Sequence, residues 1–195
     1  MTTDFQFAKG DALLVVDVQN DFCPGGALAI DNGDAVVSVL NRLIASACEK
    51  HVPVLASRDW HPYVHVSFEP AGGPWPVHCV QDTEGAAFRR DLELPDDVIV
   101  VTKGTRFDQD QYSAFDQTGL GDDFLHKRGI KRVWVGGLAE DVCVQATVLD
   151  ARKAGFEAIV VGEATRAVTE EGGQKARAVM KEAGAVFIDE YGAAL

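Results

Sequence analysis

Short, almost unbroken runs of apolar residues recur at residues 12–18, 52–57, 98–102, 132–135, 158–161 and 186–189, and stretches of helical character separate most of them. A strand with one face in water alternates apolar and polar positions, so runs without alternation belong to strands covered on both faces. Helices between such strands return the chain to the same end of the sheet by right-handed crossovers. The expected fold is therefore α/β: three α/β/α layers around a six-stranded, mainly parallel sheet of Rossmann-like type.

The intervening stretches agree. Residues 35–50 carry Val36, Val37, Val39, Leu40, Leu43, Ile44 and Ala47 as a broad helical stripe, with Asp34 expected as N-cap. A helix over 142–154 should stop at Gly155, another over 170–183 at Gly184, and shorter helical pieces are expected at 86–92 and 121–128. No linker or repeat divides the 195 residues, which predicts a single domain over 1–195.

Charge and composition exclude several functions. A net charge of −12 with no basic run repels a phosphate backbone, so no nucleic-acid partner is expected. No apolar run reaches the roughly 18 residues of a membrane span, and Met1-Thr2-Thr3-Asp4 begins no targeting signal, so a cytoplasmic protein without a membrane partner is expected. A homo-oligomer is compatible with this composition. The four cysteines lack C-x-x-C spacing, and a chain of this size needs no disulfide framework.

Parallel sheets bind ligands beyond the carboxyl ends of their strands. Asp17 ends the first strand, Asp59 follows the second, Lys103 follows the third, and Cys143 lies beyond the fourth, after Gly136 and Gly137. Taken singly, these residues read as a turn carboxylate, two loop charges and a small core thiol. Convergence on one sheet edge changes that reading. A cysteine opening a helix meets unpaired N–H groups and the positive end of the dipole, both of which favour a thiolate. Asp17 can carry the thiol proton, Lys103 supplies a fixed positive charge, and the N–H groups of Ala139 and Cys143 can hold an oxyanion.

Residues 58–83 form an unusually long loop, which in a compact domain points to function. It contains Asp59-Trp60-His61 and His78, a donor set suited to one divalent metal ion, with Zn, Fe or Mn all compatible. His65 and Glu69 are open as further ligands or substrate contacts. Cys79 is assigned to packing, since another thiolate would close the site.

These segments together resemble the nicotinamidase/pyrazinamidase branch of the isochorismatase-like cysteine hydrolases. The resemblance rests on Asp17-Val18-Gln19-Asn20-Asp21-Phe22, Asp59-Trp60-His61-Pro62, Trp75-Pro76-Val77-His78-Cys79-Val80, Lys103-Gly104 and Gly137-Leu138-Ala139-Glu140-Asp141-Val142-Cys143-Val144. It implies an amidohydrolase with Asp17, Lys103 and Cys143 as catalytic triad and Asp59, His61 and His78 around the metal. It also implies Phe22, Trp75 and Tyr112 as walls of a ring-binding slot, and a cis Leu138–Ala139 peptide that aims the Ala139 N–H at the oxyanion. The implied substrate is nicotinamide, cleaved to nicotinate and ammonia through a thioester, with pyrazinamide accepted as well. Another small amide or N-carbamoyl substrate within the same superfamily is the alternative, and a metal-activated water that bypasses Cys143 is a second. Glu140 departs from the family, which usually has Thr there. If its carboxylate turned inward it would disfavour ionisation of the thiol.

Overall fold

The computed structural model describes residues 5–189 and 191. Its six strands are β1 (Asp11–Val16), β2 (Val54–Asp59), β3 (Ile99–Lys103), β4 (Arg132–Leu138), β5 (Glu157–Arg166) and β6 (Val186–Ile188). They form one sheet in the order β3-β2-β1-β4-β5-β6, and every neighbouring pair is parallel. The expected three-layer architecture is present. Strand order reverses between β1 and β4, so the crevice beyond their carboxyl ends is the natural ligand site of such a sheet.

Alternate residues of the central strands feed two cores. Leu13, Val15 and Trp134 pack on α1 (Val36–Glu49) through Leu40 and Leu43. Leu14, Val16, Val133 and Val135 face the other side, against Val148 of α2 (Gln145–Lys153) and Met180 of α3 (Glu170–Glu182). All six residues of β1 are buried, the five from Ala12 to Val16 as their apolar sequence requires and Asp11 in an ion pair with Arg132. Among the described residues no helix is long and apolar enough to cross a membrane.

Several local expectations need correction. Residues 86–92 are not helical, because Ala86 O accepts from the Gln19 side chain and Arg89 N donates to Val18 O, which pins the segment against the loop after β1. Asp34 does not cap α1: it lies in a 3₁₀ turn, Gly33–Ala35, that leads into the helix, and no side chain caps Ala35. The helical stretch at 121–128 is a π turn, Leu120–Leu125, followed by a 3₁₀ turn, His126–Arg128.

The largest difference concerns β4, which continues through Gly136, Gly137 and Leu138 where the glycines suggested a turn. Val16 pairs with Gly137, and a Cβ on Gly137 would lie 2.0 Å from Val16 O, so only glycine permits this approach. The chain then enters a π turn, Glu140–Val144, before α2 begins at Gln145. Cys143 is therefore held in that turn, two residues ahead of the α-helix.

Candidate active site

Asp17, Asp59, Lys103 and Cys143 meet at the carboxyl edge of the sheet, as their strand-end positions require. Asp59 and Lys103 are the last residues of β2 and β3 and pair in register. Asp17 follows β1 directly in a left-handed conformation, φ 49°. This bend turns its carboxylate toward Ser57, whose hydroxyl donates to Oδ1 at 2.7 Å. The Lys103 ammonium, fully buried, lies 2.8 Å from Asp17 Oδ2 and 2.5 Å from Asp59 Oδ1. Its Nζ is also 3.5 Å from Cys143 Sγ.

The Asp17 Oδ2 atom makes no well-aligned hydrogen bond, although Lys103 is close enough to pair with it electrostatically. A lone pair therefore remains for a proton. One carboxylate oxygen each of Asp17 and Asp59 and the Cys143 sulfur lie within 4.8 Å of one another, which sets the thiol beside the Asp17 carboxylate.

The electrostatics correct one expectation from the sequence. Burial, reinforced by the Asp17 and Asp59 carboxylates, raises the Cys143 thiol well above its usual value against the pull of Lys103. The Cys143 thiol thus holds its proton, which would have to leave before the sulfur could act as a nucleophile. Burial raises the Asp17 carboxyl too, with Lys103 opposing and Asp59 reinforcing, which makes it a better proton acceptor. Burial would also raise Asp59, but Lys103 and His61 outweigh it and hold Asp59 well below the carboxylate range. Lys103 stays charged, because the two carboxylates override the effect of its burial.

Beside this group, Asp59, His61 and His78 bring three donor atoms within 4.8 Å of one another, all on buried residues. The His61 Nδ1–H donates to Gly104 O at 2.9 Å, and the His78 Nδ1–H to Pro76 O at 2.8 Å. Carbonyls only accept, so both rings carry the proton on Nδ1 and present a bare Nε2 to the cluster. Metal-binding histidines show this arrangement, with the second nitrogen fixed by an acceptor. Burial further lowers His78, keeping its ring neutral. Asp59 joins both groups, with Oδ1 on Lys103 and Oδ2 3.7 Å from His61 Nε2.

The other candidates have different tasks. His65 is buried and engaged at both nitrogens: Nδ1 accepts from Ser67 Oγ at 2.6 Å, and Nε2–H donates to Gln109 O at 3.1 Å. It bridges two loops and has no lone pair for a metal. Glu69 is exposed. Cys79 is fully buried outside the three-donor cluster, consistent with packing. Glu140 is buried but turns away, receiving Thr165 Oγ1 at 2.7 Å and both Nε and Nη2 of Arg177. Its charge is neutralised by α3 and does not face the thiol.

A cleft of about 450 Å³, its open mouth included, connects the two clusters and is lined by Phe22, Trp75, Tyr112, Ala139 and Cys143 among others. Trp75 Nε1 donates to Tyr112 Oη at 3.1 Å, which locks two of the three expected walls together. The Leu138–Ala139 peptide is cis, as the resemblance implied.

Sequence reasoning assigned no role to Gln19, Ser57, Asp110 or Val168. The Gln19 amide accepts from Asp59 N and donates to Asp59 O and Ala86 O, fixing the end of β2. Gln19 and Ser57 carried a signal, being polar residues at the ends of apolar runs. Val168 lines the cleft from the β5–α3 connection and carried none.

Comparison with known proteins gives consistent findings. The isochorismatase domain family matches residues 11–190. A nicotinamidase of Escherichia coli strain K12 is 40% identical over 190 residues, covering 87% of this chain and 89% of that protein. The crystal structure of pyrazinamidase from Pyrococcus horikoshii in complex with zinc superposes with a TM-score of 0.89 at 42% identity, covering 92% of this chain and 98% of the other. PnC1 from L. infantum, in complex with nicotinate, gives 0.85 at 36% identity over 94% and 95%.

Proposed function

This chain belongs to the isochorismatase family, and from that membership we propose that it is a nicotinamidase, hydrolysing nicotinamide to nicotinate and ammonia and pyrazinamide to pyrazinoate through a cysteine thioester. The observation that carries the reading is Asp59, shared between the Lys103–Cys143 group and the two imidazoles whose Nε2 atoms are bare. The Escherichia coli, Pyrococcus and L. infantum proteins support the substrate class.

Asp17, Lys103 and Cys143 act as the triad. Asp17 Oδ2 takes the thiol proton as Sγ attacks the carboxamide carbon, and the oxyanion forms against the N–H groups of Ala139 and Cys143. The C–N bond then breaks, and Asp17 returns the proton to the departing ammonia. Water next attacks the thioester with Asp17 as base, the C–S bond breaks, and the proton returns to the thiolate to restore Cys143. Lys103 remains protonated throughout and limits the build-up of negative charge around the sulfur. Phe22, Trp75 and Tyr112 hold the flat ring.

Asp59, His61 and His78 are the residues that would hold one divalent ion, zinc first on the Pyrococcus precedent and otherwise iron or manganese. When bound, such an ion supplies a Lewis acid that orients the ring nitrogen of the substrate. Nicotinate as product suits NAD salvage in a cytoplasmic setting.

The test is ammonia release from nicotinamide by purified protein, with metal analysis of the same sample. About one equivalent of metal per chain is expected. A metal-replete protein that releases no ammonia overturns the reading.

Gly104 gives a second prediction. Its φ is +67°, and a Cβ there would lie 2.5 Å from His61 Cε1, so alanine displaces the ring that Gly104 O orients. Gly104→Ala should weaken metal affinity about 10–100-fold, the usual effect of disturbing a ligand's support, as measured by competition with a chelator.

A further inference from the structure

Hydrolysis turns a neutral carboxamide into a carboxylate inside the cleft, so any fixed charge there acts differently on substrate and product. Three lining or adjacent carboxylates matter. Asp17 and Asp59 share the single Lys103 ammonium, and the net negative charge they leave is the same in every protein compared below. Asp110 lines the same cleft as Cys143 and Tyr112 but forms no ion pair among the described residues. The nearest guanidinium in its loop, Arg106, is committed to Asp108 at 2.8 Å. Asp110 Oδ1 accepts from Gln111 N at 3.0 Å, and the Asp110 carboxylate stands beside the Tyr112 hydroxyl. Neither contact cancels the charge.

We propose that Asp110 distinguishes the anionic product from the neutral substrate, so that hydrolysis itself weakens the hold of the cleft on its ligand. The inference rests on the nicotinamidase reading. A neutral amide meets only a dipole-scale interaction with Asp110, whereas the carboxylate meets direct repulsion in a cleft where apolar walls keep out much of the screening water. Asp110 is thus a specificity residue that favours release, with no part in bond making or breaking. A residue that only braced Tyr112 and Trp75 would affect both ligands alike.

That contrast defines the experiment. Affinities for nicotinamide and nicotinate are measured by titration calorimetry on Cys143→Ala protein, with and without Asp110→Asn. The added substitution should tighten nicotinate about tenfold, the scale of two like charges several ångströms apart in a partly wet cleft, and change nicotinamide by less than about threefold. Asp110→Glu, which keeps the charge, should preserve the original ratio. Equal changes for both ligands, or none for nicotinate, overturn the inference. Wild-type protein that cleaves nicotinamide while the ratio stays fixed sinks this inference alone; wild-type protein that releases no ammonia sinks the nicotinamidase reading and this one with it.

Discussion

Cys143→Ala protein releases ammonia from nicotinamide at no more than about one ten-thousandth of the wild-type rate, the scale seen when a catalytic nucleophile is removed. The cleft offers no substitute. Lys103 is held protonated by two carboxylates, and Asp17 and Asp59 are paired with it. The exchange removes one sulfur from a buried site and leaves the Lys103 network in place, so metal content and thermal stability should stay near wild type. Those two controls make the assay decisive. If Cys143→Ala retained substantial activity that a chelator then abolished, a metal-activated water would be the nucleophile and the thioester route would be wrong.

Lys103→Met has the second large effect, on stability as well as rate. Its ammonium is fully buried between two carboxylates that are themselves buried, and no other lysine or arginine pairs with either among the described residues. Removing one partner of a buried ion pair typically costs about 3–5 kcal/mol, because the remaining charge is left without compensation. Here two charges are left facing each other. For a chain of this size that corresponds to a fall in Tm of about 6–20 °C, with activity lost because Asp17 and Asp59 can no longer both stay ionised beside the thiol. Urea denaturation of the metal-free proteins measures the stability effect directly. A difference below about 1 kcal/mol would mean that the ammonium does not hold this group together.

The sheet was legible in the sequence because strands buried on both faces leave unbroken apolar runs, and Leu13-Leu14-Val15-Val16 is as direct a signature as a chain can carry. Strand-end placement then brought Asp17, Asp59, Lys103 and Cys143 together without any contact being known. Features set by neighbours distant in sequence were not legible. Gly136 and Gly137 looked like a turn because nothing local reveals that β1 lies against them. Residues 86–92 looked helical because the Gln19 amide that holds them is far away in the chain. The charge balance around Cys143 was not legible for the same reason: its local position favours a thiolate, whereas burial and two carboxylates from other strands push its pKa up. Glu140 was uninterpretable until Arg177 and Thr165 supplied its partners.

The sheet order also divides the labour of the site along the chain. The proposed proton carrier Asp17, the Lys103 ammonium and the three donors Asp59, His61 and His78 are encoded by residue 103, whereas the Cys143 thiol and the peptide groups of its turn come after β4 begins at Arg132. The two sets meet only when β1 pairs with β4, a contact such as Leu13 with Trp134 that closes a loop of more than a hundred residues. Such closures are entropically costly and are reached after local contacts are in place. Recovery of amide hydrolysis during refolding should therefore report completion of the central β1–β4 seam, whereas binding of the proposed metal at Asp59, His61 and His78 should report only that the chain up to β3 has assembled.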